Sequence, residues 1–215
     1  MRAVLALIVS LAFLAGCGGD DGETAESVAT GTDECTSVDA PEARNPEPGE
    51  APSDPLDASK AYTLTFETSC GSFTITLDQE LAPQTAASLV ALANAGYFDD
   101  TIFHRVVPGF VIQGGDPTQS GGGGPGYSTV DVPPTDSAYT QGVVAMAKSG
   151  VEAPGTSGSQ FFVVSGEDAG LPPEYAIVGE VTDGLDTVLR IDALGVGDGP
   201  PSQPVVVNTV TVGES

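Results

Sequence analysis

The chain has 215 residues and an ordinary hydrophobic content, enough for one domain with extensions and a sizeable buried core. Six Lys and Arg stand against thirty Asp and Glu, a formal net charge of −24, which excludes a phosphate-neutralising nucleic-acid surface and electrostatic docking on anionic lipid. The acidity reads as a soluble, self-repelling surface.

In chain order, "MRAVLALIVSLAFLAGC" has one positive charge at Arg2 and a short apolar run from Ala3 to Phe13. The run is too short for a comfortable membrane span and is expected to be a signal peptide over residues 1–16. Its end, Leu14-Ala15-Gly16-Cys17, resembles the lipobox of bacterial lipoproteins. That resemblance implies lipid on Cys17 and a protein anchored at the outer face of the cytoplasmic membrane. Residues 17–58 are acidic, rich in Pro and Gly and poor in large apolar side chains, so they are expected to form a largely disordered tether. Cys35 and Cys70 remain; outside the cytoplasm they are expected to pair as a disulfide, the alternative being two free thiols.

The domain is expected over residues 59–215. "YTLTFET" and "SFTITL" alternate around a short turn, a hairpin signal. "APQTAASLVALANAGYF" has helical spacing, with Pro83 suited to the first turn and Gly96 to the stop. "TIFHRV" and "FVIQGG" read as two strands joined by "VPG", and residues 116–141 read as a long Gly/Pro loop. "GVVAMAK", "SQFFVV" and "YAIVGEV" read as strands, "GLDTVLRIDALG" as a second helix, and "PVVVNTVTV" as a closing strand. Seven or eight short strands with two helices predict a mainly β domain, a closed eight-stranded antiparallel barrel capped by two helices.

Two local motifs fail on chemistry. "SGGGGPG" lacks the Gly-Lys-Ser/Thr ending of a phosphate loop and opens no helix. "GTSGSQ" offers serines, but a serine nucleophile needs a base and the chain has one histidine, His104. The acidic pairs have no calcium-loop spacing. No metal or cofactor is expected.

Three segments converge: "FHRVVPGFVIQGGD", "GVVAMAKSG" and "SGSQFFVV". Together they resemble the signature segments of cyclophilin-type peptidyl-prolyl isomerases, and the resemblance spans about residues 61–212. It implies an enzyme that speeds cis/trans exchange of X-Pro bonds in exported or unfolded polypeptides. A monomer is expected, though nothing in the sequence fixes the oligomeric state. The resemblance implies that Arg105 donates to the proline nitrogen and that Gln113 orients Arg105 and binds substrate. It further implies a groove of Phe110, Val111, Phe162, Leu171 and Tyr175, with Ala147 and Lys148 offering main-chain groups and Gln160 lining the side. Read alone, Phe110 and Phe162 are ordinary core residues and Arg105 a structural ion pair. His104 matches a structural position.

There are departures. Val111 stands where Met is common, Lys148 where Asn is usual, and Gly170 and Tyr175 where many members have Trp and His. These put cyclosporin sensitivity in question, and Lys148 is expected to add a cation at the groove rim that favours acidic peptides. The alternative function is a proline-peptide-binding chaperone or scaffold module with little catalysis.

Overall fold

The computed structural model of the chain describes residues 34–215; the expected signal peptide and Cys17 lie outside these residues. Strands β1 (Tyr62–Thr68) and β2 (Gly71–Leu77) form the expected hairpin. Helix α1 (Pro83–Asn94) follows, with Pro83 in its first turn. It ends in a left-handed Gly96 (φ 66°), whose N–H donates to Ala93 O while Tyr97 N–H donates to Leu92 O, the Schellman arrangement that glycine permits. Its N-cap residue Ala82 has no side-chain oxygen to offer, so the remote Asp131 caps it. Oδ2 accepts from Thr85 N–H (2.7 Å) and Thr85 Oγ1 (2.6 Å).

Then come β3 (Thr101–Ile102), β4 (Arg105–Val107), β5 (Val111–Gly114), β6 (Thr129–Val130), β7 (Val143–Met146), β8 (Thr156–Ser157), β9 (Phe161–Val164), β10 (Ile177–Asp183), α2 (Leu185–Asp192) and β11 (Val206–Glu214). Nine strands form one antiparallel sheet in the order β3-β11-β1-β2-β10-β7-β9-β5-β4, and β6 pairs only with β8. This corrects the expected closed eight-stranded barrel. The sheet has nine strands and is open, because β3 pairs with β11 and β4 with β5, but β3 and β4 do not pair with each other. The run "TIFHRV" is therefore not one strand. Phe103 and His104 carry the chain from one edge of the sheet to the other.

The first and last strands are partners, from Tyr62 opposite Glu214 to Thr68 opposite Val207. Beyond them Ala61 and Ser215 exchange both backbone hydrogen bonds (2.9 and 3.1 Å). The inner face of the sheet and the two helices enclose the main core, where Phe66, Phe73, Phe98, Phe103 and Phe161 pack ring to ring with centroids 4.9–6.4 Å apart.

Residues 34–58, part of the expected tether, are laid against the domain. Cys35 is disulfide-bonded to Cys70 at the tip of the β1–β2 hairpin. Thr36 N–H donates to Ser69 O, Arg44 N–H to Pro117 O and Gly49 N–H to Pro125 O, each at 2.8 Å. The Arg44 guanidinium donates to Tyr97 O (3.0 Å) and Asp99 O, and Leu56 packs on the core. An extended Pro-rich segment forms no secondary structure of its own. This one is held by backbone bonds to loops and by the cross-link.

Candidate active site

Strand alternation builds the site. Register sets Arg105 on β4 opposite Gln113 on β5, Gln113 opposite Phe162 on β9, Phe162 opposite Ala145 on β7, and Ala145 opposite Ile177 on β10. Residues paired across an antiparallel sheet share a face, so this row crosses the outer face. One step along each strand, Val106, Ile112, Phe161, Val163, Val144 and Met146 turn inward to the main core. Outside, Val111, Tyr139, Ala145, Phe162 and Val164 make a second, smaller cluster, with Phe110, Ala147, Leu171 and Tyr175 packed around it.

This outer cluster opens in a hollow of about 240 Å³, lined by Arg105, Phe110, Val111, Gln113, Ala147, Lys148, Phe162, Leu171 and Tyr175. The Phe162 and Tyr175 rings meet edge to face, centroids 5.7 Å apart. The Arg105 guanidinium carbon lies 5.9 Å from the Phe110 ring centre. Gln160 is the one expected residue not lining this hollow; it lines a second, of about 610 Å³, with the Gly121–Gly126 stretch. The two hollows share Gln113, Ala147 and Lys148.

Gln160 belongs to the site through a relay. Arg105 Nη1 donates to Gln113 Oε1 (3.2 Å), Gln113 Nε2 to Gln160 Oε1 (3.1 Å), and Gln160 Nε2 to Gly123 O (2.9 Å). A guanidinium can only donate and a carbonyl can only accept, so the two ends fix the direction of both amides. The relay ends on the glycine-rich loop, which Asp116 organises: its carboxylate accepts from Thr118 N–H (2.8 Å), Thr118 Oγ1 (2.7 Å), Gly121 N–H (2.7 Å) and Gly123 N–H (3.1 Å). A Cβ on Gly123 would lie 2.0 Å from Asp116 Oδ1, so only glycine allows this approach.

Lys148 lines both hollows but is ion-paired within the protein. Its side chain is 3 % exposed, with Nζ 3.2 Å from Glu174 Oε2 and 5.3 Å from the Tyr175 ring centre. The ammonium is neutralised where it sits and offers no free cation to the groove. His104 lines neither hollow, and burial holds its pKa below the usual 6.5, leaving a neutral ring at pH 7. Gly170 is exposed at φ 60° with open space around it and takes no part in lining the hollow.

Three participants carry no local sequence signal. Tyr139 sits beneath the hollow inside a stretch read as loop. Its hydroxyl donates to Tyr175 O (2.7 Å) and accepts from Tyr175 N–H (3.1 Å), which fixes the Tyr175 backbone. Glu174 holds Lys148. Asp198 accepts from Arg105 Nε (2.5 Å) and Nη2 (3.2 Å).

Comparison with known proteins agrees with this geometry. The family model described as cyclophilin type peptidyl-prolyl cis-trans isomerase/CLD matches residues 63–212. The chain is 38% identical over 170 residues to a probable peptidyl-prolyl cis-trans isomerase A of Mycobacterium leprae, covering 70% of this chain and 91% of that protein. It is 36% identical over 170 residues, with the same coverage, to peptidyl-prolyl cis-trans isomerase A of Mycobacterium tuberculosis. Among solved structures it is similar to a Cryptosporidium parvum cyclophilin type peptidyl-prolyl cis-trans isomerase, with a TM-score of 0.65, 30% identity, and coverage of 71% of this chain and 98% of that one. The same Cryptosporidium protein is also known in the presence of the dipeptide Ala-Pro, at a TM-score of 0.64 and 29% identity, covering 70% of this chain and 98% of that one.

Proposed function

Because the chain belongs to the cyclophilin-type peptidyl-prolyl cis-trans isomerases, we propose that its isomerisation of X-Pro bonds is carried by Arg105, held at the lip of the apolar hollow. Rotating a peptide bond breaks amide resonance, with a barrier of ~18–20 kcal/mol. X-Pro bonds populate both isomers but exchange over tens to hundreds of seconds. The step needs neither nucleophile nor proton transfer. It needs a surface that binds the twisted amide better than either planar form.

As resonance is lost the proline nitrogen regains its lone pair. A fixed, permanently charged donor aimed there stabilises the twisted state alone. The apolar walls of Phe110, Val111, Phe162, Leu171 and Tyr175 take the proline ring and exclude water. Gln113 holds Arg105, and Gln160 couples that relay to the glycine-rich loop. Ala147 and Lys148, shared by both hollows, offer main-chain groups to the peptide leading into the smaller one. The observation that carries this reading is a guanidinium bonded to an amide relay and lining an apolar hollow. Exchange of a short X-Pro peptide tests it. Arg105→Ala is expected to slow catalysis about 10²–10³-fold while the fold persists; a folded variant as fast as the wild type removes Arg105 from this role.

The proposed clients are exported polypeptides, met at the outer face of the membrane through lipid on Cys17. The Leu14-Ala15-Gly16-Cys17 run supports this, as does the Cys35–Cys70 bond, which persists in oxidising compartments. Labelled fatty acid should enter the wild type and not Cys17→Ser; equal labelling of both would refute the anchor.

A further inference from the structure

We infer that Asp198 is a positioning residue for the isomerisation: it locks the plane of the Arg105 guanidinium from the side opposite Gln113, an inference that rests on Arg105 acting at the proline nitrogen. Of the guanidinium's five N–H bonds, Asp198 engages one on Nε and one on Nη2, and Gln113 engages one on Nη1. Two remain for substrate. One amide acceptor alone leaves the group free to tilt. A carboxylate fork added at the other edge defines the plane.

The contact is built into the backbone. β4 is an edge strand, and among the described residues no strand lies on its open side. The segment following α2 takes that place: Val106 N–H donates to Gly199 O (2.8 Å), and Ser202 N–H closes back onto Leu194 O (2.8 Å). Gly195 lies so close to β4 that a Cβ would fall 2.7 Å from Pro108 Cδ and 3.0 Å from Val106 Cγ1. The Val106–Gly199 bond sets their neighbours Arg105 and Asp198 side by side across 93 residues of sequence. The Asp198 side chain is 68 % exposed. An exposed ion pair contributes little to folding stability, so its effect belongs to the geometry of the site rather than to the fold.

The test is kcat and KM for an X-Pro peptide, with thermal melting alongside, for wild type, Asp198→Ala, Asp198→Glu, Arg105→Ala and the Arg105→Ala/Asp198→Ala double variant. Asp198→Ala should lower kcat about tenfold, since small misplacements of a reacting group are costly, with KM and melting temperature nearly unchanged. Asp198→Glu, which keeps the carboxylate, should recover much of the loss. In the Arg105→Ala background, loss of Asp198 should change nothing further. An unchanged or raised kcat in Asp198→Ala overturns the inference while leaving Arg105 in place, and so does an equal loss in the Arg105→Ala background. Full activity of Arg105→Ala would instead overturn the role of Arg105 itself, and this inference with it.

Discussion

Asp116 shows how one buried carboxylate can shape a binding groove without touching substrate. Burial raises its pKa, but the hydrogen bonds from Thr118, Gly123 and Gly121 outweigh this and hold it below the usual 3.8. A carboxylate depressed in the folded state contributes stability that is complete above its unfolded value and lost as pH falls through the folded one. Asp116→Asn is therefore expected to cost about 1–3 kcal/mol near neutrality. Against wild type in urea unfolding, the difference should narrow once pH is taken below 3.8; a gap that does not narrow would disprove the ionised cradle. Scarcity made Arg105 legible, since a chain with six cations placed one inside an apolar run. Asp198 was not legible: it is one of thirty acids, in a Gly/Pro loop whose partner lies 93 residues away.

At the scale of elements, alternation told which side chains could share a face. The long strands and both helices read correctly because period is a local signal, as are the Pro83 start and Gly96 stop of α1. The break at Phe103-His104 had no local signal: Thr, Ile, Phe and Val of "TIFHRV" favour an extended chain, and only pairing with β11 on one side and β5 on the other divides it. The two-residue β6 and β8 are likewise defined by each other alone. How residues 34–58 are held was not legible, because composition measures what a segment can bury by itself, not what a cross-link and neighbouring loops supply. The Cys35–Cys70 bond spans 35 residues of sequence, so reduction or Cys35→Ser should cost about 2–4 kcal/mol. It should also make residues 36–58 an early site of proteolysis. Unchanged melting and unchanged cleavage on reduction would show that the backbone bonds suffice.

At the scale of the whole molecule, the pairing of β1 with β11 decides when the fold can exist. β1 is made first, yet one of its two flanks stays open until Val206–Glu214 arrives, and with that strand come the buried Val206, Val207 and Val210. Local contacts cannot stand in for it, because loop closure over the full domain precedes the gain. Chains halted during synthesis should remain protease-sensitive at every length that withholds β11, and turn resistant once it is free; resistance at shorter lengths would show that the remaining strands hold alone. A polypeptide arranged in this way stays threadable for as long as it is being made. The latch is the last thing delivered, so this prolyl isomerase withholds its own fold until its final nine-residue strand has been handed over.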